Sequence, residues 1–206
     1  MSQFNNMPKR GFAIPLAIIG VSTIAWSLLF NRLDQPTDLE SLHLFLSVPS
    51  HHTNMKSALE YHLGADGIRK VSITAMAPDS AYYAATLATV GIGECDLLVV
   101  PQSVLDSLAD FNNFAPLSES TLLTYNLDVA QYDYYENEMT PYGIKVYEEQ
   151  TNTNLLDTWM TFNDDEDYYL IVNANTVNAG DFSNREEETS DHSFVALSYL
   201  LKNDIE

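Results

Sequence analysis

A single cysteine, Cys95, stands among 206 residues. That excludes an intramolecular disulfide framework and any cysteine-rich zinc module. Bases are scarce as well: 9 Lys and Arg stand against 29 Asp and Glu, for a formal charge of -20. No acid precedes residue 34, and only Lys56, Arg69, Lys70, Lys145, Arg185 and Lys202 are basic after it. A field of that sign repels phosphate backbones and excludes a nucleic-acid binder. Catalytic and nucleotide signatures are missing too. There is no G-x-S-x-G, no H-E-x-x-H and no P-loop. Apolar residues are not scarce. They make up 46% of the chain, with 11% aromatics, which excludes disorder. The length allows one ordinary domain plus an accessory segment.

Residues 11–30, GFAIPLAIIGVSTIAWSLLF, carry no charge. At about 1.5 Å per residue, 20 helical residues cover a hydrocarbon core of roughly 30 Å. Lys9 and Arg10 precede the run and Arg32 follows it. The basic excess on the short side favours an N-terminus inside and the rest outside. Pro15 is tolerable near the start of such a helix and Trp26 suits an interface. The sequence therefore predicts a single-pass protein of the cell membrane. Its parts are a cytoplasmic N-terminus (1–10), a transmembrane helix (11–30), a stalk (31–40) and an extracytoplasmic domain (41–206). A cleaved signal peptide is the alternative. It would carry a shorter apolar core and a better small-x-small site than Thr23-Ile24-Ala25.

From residue 41 strand and helix patterns alternate. Leu42–Val48 is a short apolar strand, and residues 52–63 place Met55, Ala58, Leu59 and Leu63 at helical spacing. Val71–Met76 alternates as a strand, followed by a helix from about Ala81 to Val90 with Asp79 as N-cap. Cys95–Val100 is a continuous apolar run, as for a strand covered on both faces, and a helix follows it to about Phe111. Three β-then-α units predict parallel strands with right-handed crossovers. Residues 118–140 show no clean period. Gly143–Tyr147 and Tyr168–Asn173 read as further strands. Residues 191–202 read as a last helix, with Phe194, Leu197, Leu200 and Leu201 on its buried stripe. The fold class predicted is α/β: a transmembrane helix followed by one three-layer α/β/α domain with a mainly parallel sheet.

This order of elements resembles one lobe of bacterial extracellular solute-binding proteins of the ABC-transporter type, with a type II periplasmic-binding fold. The residues that carry the likeness are Lys70–Thr74 and its helix, Leu87–Pro101, Phe114–Leu117, Tyr142–Tyr147 and Tyr168–Asn173. The likeness covers about 41–117 and, more weakly, 141–202. Family members have two lobes and hold a solute in the cleft between them. The resemblance therefore implies a truncated lobe, in which the edge that would face a partner lobe is open.

In open α/β sheets ligands sit at the carboxyl ends of the strands, where helix N-termini present free N–H groups. Three loops fall there. They contribute Ser50, His51, His52 and Thr53, then Asp79, Ser80 and Tyr82, then Gln102 and Ser103 as candidate ligand- or partner-binding residues. Surface loop histidines are the plain reading of His51 and His52, and His43, His62 and His192 show no ligand spacing, so no metal is expected. Asn163–Asp167 lacks the central glycine and distal glutamate of a calcium loop and reads as a solvated connection. Gly91-Ile92-Gly93 precedes a strand, whereas a dinucleotide fingerprint follows one. Cys95 reads as a small buried hydrophobe. No catalytic group and no cofactor is expected.

The expectation is a membrane-anchored, non-catalytic binding or docking module. Its partners would be a transporter permease or other membrane protein, or a small, sugar-like solute. The alternatives are a structural or interaction domain without a solute, and an extracytoplasmic hydrolase.

Overall fold

The computed structural model describes residues 19–27, 30, 35–163 and 165–202. The chain divides into two compact units, Met1–Pro36 and Thr37–Glu206.

In the first unit residues 19–27 and 30 are helical. Among the described residues no helix is long and apolar enough to cross a membrane. This corrects the expectation of a transmembrane helix over 11–30, and with it the single-pass placement and the outside location of the domain. Residues 11–18, 28 and 29 of that run lie outside the described residues, as do 1–10 and 31–34.

The second unit is built on a mixed sheet. Its strands are β1 (Ser41–Leu46), β3 (Lys70–Ala75), β4 (Leu97–Pro101), β5 (Tyr134–Asn137), β6 (Thr140–Glu148), β7 (Thr153–Asn154) and β9 (Tyr168–Val172). The order is β3-β1-β4-β9-β6-β5, with β7 paired to β6. A separate ladder joins β2 (Ser50–His51) to β8 (Met160–Thr161). Strand β1 pairs in parallel with β3 and with β4. Every pair beyond β4 is antiparallel. A mainly parallel sheet was expected and a mixed one is found, because β9 enters between β4 and β6 in the opposite sense.

Side-chain alternation covers both faces of the sheet. Leu42, Leu44 and Leu46 of β1, Leu97 and Val99 of β4, and Tyr168, Leu170 and Val172 of β9 belong to one core. Helices α1 (Met55–Leu63) and α6 (His192–Lys202) close it with Met55, Leu59, Leu63, Phe194, Leu197, Leu200 and Leu201. Phe45, Leu98, Val100, Tyr169 and Ile171 face the other core, with Tyr83, Leu87 and Leu105. In β6 the register shifts between Lys145 and Tyr147. Both Val146 and Tyr147 consequently reach the first core, as an extra residue in one strand permits.

The helix expected from Ala81 to Val90 begins later and runs on past Gly91. It consists of α2 (Tyr83–Thr86), a π-helical turn (Leu87–Gly91) and α3 (Ile92–Glu94). Gly91 lets it lie against β1, since a Cβ there would meet Leu87 Cδ1 at 3.0 Å and Phe45 Cγ at 3.2 Å. The helix after β4 is short, α4 (Gln102–Asp106), and α5 (Glu119–Thr124) falls where no period was legible. Residues 38–40, assigned above to a stalk, belong to the second unit. Glu40 accepts the Thr37 N–H at 2.9 Å, and its carbonyl accepts the Arg69 N–H at 2.8 Å.

Candidate functional site

The carboxyl ends of β1, β3 and β4 carry the nine residues singled out from the sequence. Ser50 and His51 form β2, paired with Thr161 and Met160. His52 continues the ladder by donating its N–H to Trp159 O at 2.8 Å. This loop is therefore fixed by backbone bonds, with Ser50, His52 and Thr53 exposed and His51 half-buried. Asp79 is exposed and does not cap a helix. The turn closes instead through Tyr83 N–H to Ser80 O at 3.0 Å. Tyr82, 74% exposed, stands out beside Tyr83, which is 7% exposed.

Beneath the edge Tyr83 hydroxyl lies 2.7 Å from Ser47 Oγ, a buried pair that anchors the second loop to the end of β1. Burial pushes the Tyr83 hydroxyl up to about 12, against the Ser47 hydrogen bond and with a further push from Glu166. It is a structural tie and not a base at neutral pH.

Gln102 and Ser103 open α4, where the acidic run closes over them. Asp167 O accepts the Gln102 N–H at 2.8 Å, and Glu166 Oε2 accepts the Ser103 N–H at 3.0 Å. Asp167 also accepts the Glu149 N–H at 2.9 Å and pairs with Lys145 Nζ at 2.9 Å. Burial disfavours the Lys145 ammonium, but the hydrogen bond to Asp167 together with the nearby charges of Tyr169, Asp167 and Glu148 outweighs it and raises its pKa. The run read as a solvated connection is thus a clasp joining the ends of β4 and β6 to the start of β9. Its residue 164 lies outside the described residues.

Beside this clasp lies an open cavity of about 290 Å³, lined by Gln102, Ser103, Asp106, Glu149, Gln150, Glu166 and Asp167. It gathers the third loop only, and the first two loops do not line it. Among the described residues four carboxylates and no base line it, so an anion is repelled there. Among the described residues no group of three or more His, Cys, Asp and Glu side chains is placed to hold a metal ion. His192, which had no assigned role, has ring nitrogens 2.8 Å from Leu39 O and from Asp66 O. Cys95 is buried, and burial, helped by Asp96 and Glu94, pushes its thiol up to about 12. A thiol so placed is a poor nucleophile.

Two features escaped the sequence reading. Glu166 was hidden in a run whose composition alone spells solvent. Asp96, the acid just before β4, forms a buried polar centre at the opposite end of the strands. No protein-family model matches the chain, and no curated protein matches its sequence.

Proposed function

We propose that Thr37–Glu206 is a non-catalytic module, related to one lobe of a solute-binding protein, that docks a second protein on the loops at the carboxyl ends of β1, β3 and β4. One observation carries this reading. The first N–H groups of α4, where a small anionic solute would be received, are already taken by Asp167 O and Glu166. The remaining edge is open, with exposed Ser50, His52, Thr53, Asp79, Tyr82 and Ser103. Tight small-molecule sites bury some 70–90% of their ligand, and the open cavity beside the clasp offers no such enclosure. Exposed tyrosine on a firmly anchored turn is the usual stuff of protein contacts. The three parallel strands and their helical crossovers support descent from a binding lobe.

Thermal unfolding of the full chain against panels of sugars, amino acids and oxyanions tests the choice between protein and solute. A ligand that binds only the folded state raises Tm by mass action. The docking reading expects no shift with any of these. A saturable shift that vanishes in the Gln102→Ala variant would establish a solute site in its place.

A further inference from the structure

At the amino end of β1, away from the docking edge, residues 179–182 and 189–191 meet the start of α6. Asn178 ties the first segment to β1 by donating from Nδ2 to Ser41 O at 2.8 Å. Gly180, at φ 59°, donates its N–H to Ser190 O at 2.7 Å and so joins the two segments. Between them and Tyr125, which follows α5, lies an open cavity of about 330 Å³. Three aromatic rings stand in a row along it. Phe182 and Phe194 have centroids 5.6 Å apart, and Phe194 is stacked on Tyr125 at 5.1 Å. Phe194 is buried, whereas Tyr125 and Phe182 are half-buried and keep part of each ring for the cavity that they line.

The charged side chains of this cavity are Asp181 and Asp191, both exposed, and among the described residues no base lines it. The Tyr125 hydroxyl donates to Asp191 Oδ2 at 3.0 Å. Burial pushes that hydroxyl up to about 12, and the bond to Asp191 and the charges of Asp191 and Asp181 add to the push. Both carboxylates thus act at the phenol end of the ring row. The start of α6 presents about half a positive charge, which two full carboxylate charges outweigh, so an anion is repelled. A metal ion is poorly served as well, since among the described residues no cluster of ligating side chains is placed to hold one. The walls match a bulky, weakly hydrated cation. Its charge is attracted by carboxylates and by ring faces within about 6 Å, while its alkyl groups rest on the rings. The formal charge of -20 draws such cations toward the chain.

We propose that this cavity binds an alkylammonium ion with no anionic group beside its charge, held by the rings of Tyr125 and Phe182 and the carboxylates of Asp181 and Asp191. Such a cation can be a free solute or an alkylated lysine side chain of another protein. The site is separate from the docking edge, and a zwitterionic amino acid does not suit it, because its carboxylate meets Asp181 and Asp191.

Titration of the full chain with choline, followed by NMR, tests this without a variant. Choline should bind saturably, with nuclear Overhauser contacts from its N-methyl protons to aromatic ring protons. Its neutral isostere 3,3-dimethylbutan-1-ol should bind about fivefold more weakly or worse. Phosphocholine, whose phosphate meets the two carboxylates, should also bind more weakly than choline. The amide of N-acetyl-trimethyllysine reads the source: tighter binding than choline assigns the cation to a protein side chain, and weaker binding to a free solute. Phe182→Leu should weaken choline about threefold, and Asp181→Asn/Asp191→Asn should weaken it further, each in a chain of unchanged Tm. No saturable binding, equal binding of the neutral isostere, tighter binding of phosphocholine, or indifference to both variants overturns the proposal.

Discussion

Glu166 Oε2 accepts the backbone N–H of Ser103 at 3.0 Å, across 63 residues of chain. This bond closes the acidic run over the start of α4 and decides how the edge of the sheet is read. A carboxylate of the chain itself stands where a bound anion would otherwise be received. Glu166→Ala should destabilise the protein by about 1 kcal/mol, the usual worth of a lost helix cap. Chemical denaturation measures it. An unchanged midpoint would show that the clasp does not bear on stability.

Val99 is 1% exposed in β4, between parallel β1 and antiparallel β9. An aspartate there has no partner for its charge. Val99→Asp should cost about 4 kcal/mol or more, enough to unfold a marginal domain at 37 °C. Circular dichroism of the purified variant checks this, and a cooperative transition at the wild-type temperature would refute the central place given to β4.

The hairpin between β5 and β6 turns through Glu138 and Met139, with φ of 50° and 64°. Both lie in the left-handed region, where non-glycine residues are disfavoured and a two-residue hairpin calls for Asn-Gly. Met139 is 92% exposed and contributes little packing. The double variant Glu138→Asn/Met139→Gly should therefore be stabilised, by about 1 kcal/mol. A lower Tm would mean that the native side chains are held by contacts the turn itself does not require.

The parts of this fold that were legible in the sequence are those written locally. Leu42, Leu44 and Leu46 alternate toward one core, and the unbroken run from Leu97 to Val100 marks a strand buried on both faces. What was hidden depends on pairings across the chain. Strand β5 reads Tyr134-Tyr135-Glu136-Asn137, with no apolar alternation of its own, and its pairing with β6 makes it a strand. His51 looked like a free loop residue because Met160, its ladder partner, is more than a hundred residues away. Asp96 and Asn178 are 82 residues apart, and neither carries a local sign of burial. The expectation of a membrane helix rested on the length of the uncharged run 11–30 and its basic flank; among the described residues no helix is long and apolar enough to cross a membrane.

The docking edge can be probed without knowing its partner. A photo-crosslinking amino acid placed at Tyr82 samples the edge, and one at Tyr61, 81% exposed on α1, samples surface outside it. Both would be introduced into the full chain in its native host and irradiated. The account predicts a discrete adduct from position 82, none from position 61, and loss of the first when His51, His52 and Gln102 are all replaced by alanine in a chain of unchanged Tm. No adduct at position 82, or equal adducts at both positions, would contradict it.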